Sequence, residues 1–481
     1  MGFFSLPFAI FMAAVFLLFW ALPQRYRWLV LLSANCFFYF CWSAGYVFLL
    51  LMTGLLTYFA ALAIGRAESG REKKAILIVG LALCLGVLFV YKYLGFFFSV
   101  LDALFSAFRL PLHPVTRRLV MPLGLSFYTF QTLGYLIDVY RGKNLPERHP
   151  GVYLVFVSFF PTVASGPISR VEHLLPQLKQ ERRFSYEQAA YGAKQIAWGF
   201  FKKLVVADGL AVYVDRVFSD VTAFQGFALV LAGLFFTLQI YCDFSGYSDI
   251  AIGCAKLLGV DLKANFKSPY FSSSLGEFWN RWHISLSTWF RDYLYIPLGG
   301  SRCSRAKHYR NLFLTFLLSG LWHGANWTFL IWGGIHGLLR IGEDLLQGHR
   351  KPPERGLVRW LRTLLVFLLV SAGWVFFRAD SVHDAVYVFS RLFVGASQPL
   401  EYLRAGFSDR GIYMSRLQLL EFCAIWMPPL VLFDYFSLKT DVIAAVSRRK
   451  PVLRWICYCA IIALVLLFRA VGNVSFVYFQ F

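Results

Sequence analysis

Two histidines stand in strongly apolar, aromatic surroundings: His283 in FWNRWHISLSTWFRDYLYIPLGG and His323 in LLSGLWHGANWTFLIWGGIHG. An imidazole takes or gives a proton near neutral pH. An ionisable side chain at membrane depth faces a bundle interior or a watery cavity in which it has a task. An intervening turn can bring the two rings together, and general acid–base chemistry is what such a pair offers.

The residues around His283 predict the helix that carries it. Ser274 followed by Glu277 fits a capping box, so a helix should begin near 275 and stop near Pro297 and Gly299-Gly300. On that helix Trp279, His283, Ser287 and Arg291 share a face at i+4 steps, with Trp282, Trp289 and Tyr293 on the neighbouring stripe. An interfacial aromatic helix with a hydrogen-bonded histidine would look the same. His323 differs, because it closes an apolar helix directly before Gly324, and Asn326 can cap the next helix at Trp327. A backbone break inside lipid has to be lined by protein or water, so a cavity is expected beside His323. His336, among Gly333, Gly334 and Gly337, reads as a structural histidine in tight helix packing. HxxxH, HExxH and GxSxG patterns do not occur, so neither a metal site nor a serine nucleophile is expected.

A third polar group, IYCDFSGYSDIAIG, places Asp243, Ser245, Tyr247, Ser248 and Asp249 in an apolar stretch. Asp243 could fix an imidazole tautomer or pair with Arg281 or Arg291, and a structural ion pair is the plainer role. FFPTVASGPISR adds Pro161, Gly166, Pro167 and Arg170 at the end of another span, a pattern that suits a re-entrant element.

The elements that must position these groups are membrane helices. Apolar residues make up 58% of the chain, and the mean hydropathy is +0.58. Candidate spans lie at 3–22, 27–44, 46–65, 75–92, 120–138, 151–165, 190–207, 225–241, 311–323, 326–346, 358–377, 417–435 and 452–471. They predict an all-α polytopic bundle with about 10–12 true crossings, the remainder being re-entrant or interfacial. The first apolar stretch has no basic n-region and reads as a retained helix.

The net charge of +21 gathers in short connections, such as Arg66, Arg71, Lys73 and Lys74; Arg302, Arg305, Lys307 and Arg310; and Arg350, Lys351 and Arg355. The positive-inside rule explains this and puts the N-terminus outside. The cluster at 302–310 could also attract anionic lipid or the phosphates of a cytosolic cofactor. Nucleic-acid binding is a poor alternative, because no soluble domain carries these charges as one continuous face. The nine cysteines contain no CxxC pair and read as small buried hydrophobes. Polar intervals at about 347–357 and 396–416 read as extramembrane connections, which leaves one integral domain over 1–481 with its core at about 120–346 and C-terminal helices at about 358–475.

Together, FPTVASGPISR, IYCDFSGYSDIAIG, FKSPYFSSSLGEFWNRWHISLSTWFRDYLYIPLGG and LWHGANWTFLIWGGIHG resemble the membrane-bound O-acyltransferase superfamily, nearest the bacterial alginate O-acetyltransferase group. The resemblance covers roughly 1–475 and is most specific from 243 to 337. It implies a helical bundle around a central tunnel, in the bacterial inner membrane. It implies His323 as the family's histidine, acting as general base, and His283 as the second active-site position. His283 or Asn280 would hold the thioester or stabilise the oxyanion. Trp279, Ser287, Asp243, Ser245, Asn326 and His336 are carried along as candidate tunnel-lining or substrate residues. No bound cofactor is implied. The donor would be acetyl-CoA, and the partners a periplasmic or membrane-anchored acetyltransferase and an exopolysaccharide such as alginate, with lipid as the solvent. Cellulose, peptidoglycan or D-alanyl transfer to teichoic acid are the alternative chemistries. A proton-coupled transporter or a secretion scaffold are readings of another class; the first would call for internal symmetry.

Overall fold

A chain this apolar satisfies its backbone inside helices. The computed structural model describes residues 2–109, 119–347, 356–408, 418 and 421–469, and every regular element among them is helical. Among the described residues, five helices are long and apolar enough to cross a bilayer: Ala44–Arg66, Gly70–Ala107, Phe227–Leu257, Leu357–Arg378 and Pro451–Phe468. Leu6–Ala21, Pro150–Val163 and Phe422–Ser437 are shorter apolar helices. The protein is thus an all-α, multi-span membrane protein. The expected spans at 120–138, 190–207, 311–323 and 326–346 are helical in whole or part but lie outside this set; the helix in the first of them, Leu125–Tyr140, is 16 residues long. Residues 348–355, with Arg350, Lys351 and Arg355, and 409–417 lie outside the described residues.

The chain forms two compact units. The first comprises Met1–Ile196 and Ile250–Lys263. In it the span expected at 151–165 is broken, since the helix Pro150–Ser158 gives way at Phe159 to the turn Phe160–Val163. Asn35 meets the break from both sides: its amide donates to Ser158 Oγ at 3.0 Å, and its Oδ1 accepts the Phe160 N–H at 2.8 Å. A single buried side-chain amide thereby satisfies one N–H of the interrupted backbone, that of Phe160, and ties it to the Ser158 hydroxyl on the other side of the break.

The second unit comprises Ala197–Asp249 and Ala264–Phe481 and contains both histidines. Its centre is an antiparallel pair of helices, Arg305–His323 and Trp327–Gln347. They approach closely because glycine faces backbone: a Cβ on Gly320 would stand 2.2 Å from the Phe329 carbonyl oxygen, and one on Gly333 2.4 Å from that of Phe316. The tight packing expected around His336 is present at Gly333 and Gly337. Against this pair stands a wall of fully buried indoles. Trp282 and Trp374 lie 4.9 Å apart and Trp332 and Trp374 5.5 Å apart between ring centroids.

A buried charge network occupies another part of this unit. The π-helical turn Phe201–Ala207 carries Lys202 and Lys203, both buried. Lys203 Nζ pairs with Asp208 at 2.7 Å and Asp243 at 2.6 Å. Lys202 pairs with Asp249 and donates to Ser245 Oγ at 2.9 Å.

Candidate functional site

The capping box forms as its residues predict: Ser274 Oγ accepts the Glu277 N–H at 3.0 Å, and the helix Leu275–Arg281 starts there. The Glu277 carboxylate turns back one residue further than the motif requires, accepting the Ser273 N–H at 2.7 Å. Glu343, from the helix Trp327–Gln347, receives the next two free amides, the Leu275 N–H at 2.6 Å and the Gly276 N–H at 2.9 Å. A carboxylate at a helix N-terminus neutralises the dipole as well as the donors.

The helix expected to run on to Pro297 does not. It stops at Arg281, His283 takes a left-handed conformation (φ 42°, ψ 54°), and a second short helix, Ile284–Phe290, follows before a π-helical turn at Arg291–Tyr295. Left-handed backbone is uncommon for a residue with a Cβ, and it persists where surroundings over-determine it. Those surroundings are supplied by Asn265. Its carbonyl accepts the Ile284 N–H at 2.9 Å, and its Oδ1 accepts the Ser285 N–H at 3.1 Å and Ser285 Oγ–H at 2.9 Å. The same Oδ1 lies 3.2 Å from His283 Nδ1.

Despite the break, Trp279, His283, Ser287 and Arg291 all face one cavity of about 300 Å³, joined there by Asn280 and by His323 from the neighbouring helix. The rings of His283 and His323 lie 6.3 Å apart between centroids, and each is buried, with 1% and 5% of its surface exposed. Aromatic rings hold them in place. Phe244 meets His283 edge-on at 4.7 Å, and Trp322, Trp332 and Phe377 surround His323 at 5.0 to 5.3 Å. Two imidazoles in a space large enough for an acyl group, walled in part by indole and phenyl rings, form a site suited to proton transfer.

Elsewhere the cavity is lined by Arg340, Tyr295 and His308. Tyr295 Oη and His308 Nδ1 are 2.9 Å apart, and His308 Nε2 faces Asp344 at 3.7 Å. Burial pushes the Tyr295 phenol above its ordinary value, so it stays protonated at neutral pH. Next in sequence to His308 come the exposed Arg302, Arg305, Lys307 and Arg310. Asn311 closes this loop by donating to the Leu298 carbonyl at 2.9 Å.

Other residues singled out from the sequence have different places. Asp243 and Ser245 belong to the lysine network and do not line the cavity. The expected pairing of Asp243 with Arg281 or Arg291 is corrected: its partner is Lys203, whereas Arg281 pairs with Glu277 at 2.6 Å and Arg291 with Asp292 at 2.8 Å. Local carboxylates on the same helix or next in sequence had claimed the arginines. Asn326 sits at the turn, donating to the Asp380 carbonyl at 3.1 Å. His336 is enclosed by Trp279 and Trp332, each 5.0 Å away between ring centroids, behind the cavity wall. Asn265, Glu343, Tyr295, His308 and Arg340 were not anticipated. Lys202 and Lys203 could have been found, because two lysines inside an apolar stretch require buried carboxylates.

Fold and site together define a class: a multi-span helical membrane protein with a paired-histidine cavity. The profile of the membrane-bound O-acyltransferase family matches residues 149–377, which include both histidines. The chain is 42% identical to the probable alginate O-acetylase AlgI of Pseudomonas putida over 77% of its own length and 75% of that protein. It is 35% identical to the peptidoglycan O-acetyltransferase of Helicobacter pylori, over 75% of this chain and 72% of that one. Similarity extends to the teichoic acid D-alanyltransferase of Bacillus subtilis at 28% identity, over 57% and 72%. The chain belongs to the membrane-bound O-acyltransferase family and is an acyltransferase.

Proposed function

We propose that this protein O-acetylates an exopolysaccharide, alginate in the first instance, by drawing an acetyl group from cytoplasmic acetyl-CoA through the inner membrane. The observation that carries the reading is the convergence of His283 and His323 on one cavity in a chain that matches probable alginate O-acetylases over 70–75% of their length. The cavity would be part of a tunnel within a bundle of about 10–12 crossings, some of them re-entrant.

In the reaction, His323 takes the proton of the acceptor hydroxyl, or of a relay group, as that oxygen attacks the thioester carbonyl. The carbon–sulfur bond of the tetrahedral intermediate then breaks, and the imidazolium returns the proton to the departing thiolate. No net proton is consumed. Asn280 and His283, which line the same cavity, would meet the reacting carbonyl or the attacking group. Arg340 with the exposed cations at 302–310 would receive the donor's phosphates, since charge-assisted contacts to phosphate are the strongest that such side chains make. A periplasmic or membrane-anchored acetyltransferase would complete delivery to the sugar.

Inverted inner-membrane vesicles carrying this chain and its partner, with alginate trapped inside, test the scheme. Radiolabelled acetyl-CoA added outside should label the enclosed polysaccharide. Absence of label, with label transferred from a D-alanyl carrier instead, would overturn the acetyl reading in favour of the D-alanyl one.

A further inference from the structure

Asn265 lies outside the segments that face the cavity, yet it is 1% exposed and makes its contacts to the residues that form the His283 bend. Its amide orientation is fixed by chemistry. The Ser285 backbone N–H can only donate, so the side-chain atom that it meets at 3.1 Å is oxygen. His283 Nδ1 lies 3.2 Å from that same oxygen and must therefore carry the hydrogen of the contact. In that orientation the other end of the amide donates to Ser248 Oγ at 3.4 Å.

We propose that Asn265 is a positioning residue that locks His283 as its Nδ1–H tautomer, so that the opposite edge, with Nε2, meets the acylation site as a hydrogen-bond acceptor. The inference rests on the reading of His283 as an active-site residue. It divides the labour that the sequence left open. A neutral imidazole held this way accepts from a second donor, a neighbouring sugar hydroxyl or an amide N–H of the acyl donor, and so positions the group being acylated, whose own proton goes to His323. It has no proton for an oxyanion, and donation to the oxyanion falls to Asn280. Asn265 also holds the left-handed backbone at His283, through Ile284 and Ser285, so ring orientation and tautomer are set by one side chain and its own carbonyl.

Among the rings packed on His283 are Phe244, Phe266, Trp322 and His323, and of these four His323 is the titratable one. Replacing the amide by a carboxylate keeps the acceptor at Nδ1 but stabilises the imidazolium, which cannot accept at Nε2. Asn265→Asp is therefore expected to move the acid limb of the kcat/KM profile upward by about one to three pH units. Asn265→Ala, which frees the tautomer, is expected to lower kcat at least about tenfold while the KM for acetyl-CoA changes little.

A direct reading is the 15N signature of His283 in the wild-type protein, assigned by its loss in His283→Gln. It should show Nδ1 protonated and Nε2 bare, and it decides the matter even if the Asn265 variants do not accumulate. An Nε2–H tautomer, or wild-type turnover and pH profile in both Asn265 variants, overturns the proposal. If only those results go against it, His283 keeps its place in the site. Wild-type turnover in His283→Ala would instead remove the parent reading, and this inference with it.

Discussion

The imidazoles of His283 and His323 stand 6.3 Å apart at an interplanar angle of 58°, close enough to address one small acyl group and too far to bond each other directly. They come from different elements, a bend between two short helices and the last turn of a longer one. If they serve one transition state, their losses will not add. His283→Ala should lower acetyl transfer by roughly 10²-fold, and the double variant with His323→Ala should fall little below the worse single variant. Initial rates in membranes at matched protein abundance provide the check; multiplicative losses would assign the rings to separate steps.

The cations beside His308 are exposed, and their effect should be one of binding. Arg302→Ala combined with Lys307→Ala should raise the KM for acetyl-CoA by about three- to tenfold with kcat nearly unchanged, the pattern of lost uniform binding. Added salt should raise the wild-type KM in the same direction. A fall in kcat alone would place these residues in the chemistry or the fold.

Lys203 bridges two buried carboxylates, so its removal leaves Asp208 and Asp243 without their shared counter-charge. Lys203→Met should destabilise the protein by about 3–5 kcal/mol. The expected readout is lower abundance and a lower thermal midpoint in detergent. Adding Asp243→Leu should restore part of the loss, because an apolar replacement of a buried pair is often tolerated. Turnover per folded molecule should remain near that of the wild type, in keeping with a network that does not reach the cavity.

Helix approach gives a prediction with its own control. Gly320→Ala places a Cβ 2.2 Å from the Phe329 carbonyl oxygen, whereas Gly334→Ala meets only the Phe313 ring at 3.9 Å. The first should cost about 1–3 kcal/mol or more and disturb the turn that carries His323. The second should be silent in both abundance and activity.

What the sequence made legible was local. Ser274 and Glu277 announce a helix start because a cap is written within four residues, and Gly324 marks the break beside His323 for the same reason. The bend at His283 was not legible, since neither glycine nor proline marks it. It is held by Asn265, which lies in an earlier loop. The partner of Asp243 was likewise remote, a lysine presented inward by a π-helical turn that no periodicity predicts. The catalytic histidines proposed from the resemblance do meet at one cavity, but with Tyr295, His308 and Arg340 as neighbours that spacing alone did not bring to them.

We propose that His323 carries the proton in acetyl transfer. It is tested most directly by the initial rate of label passing from radiolabelled acetyl-CoA to alginate in membranes holding this chain and its partner, comparing wild type with His323→Ala at equal abundance. The expected fall is about 10²–10⁴-fold, the usual contribution of a positioned general base. A His323→Ala rate equal to that of the wild type would contradict it.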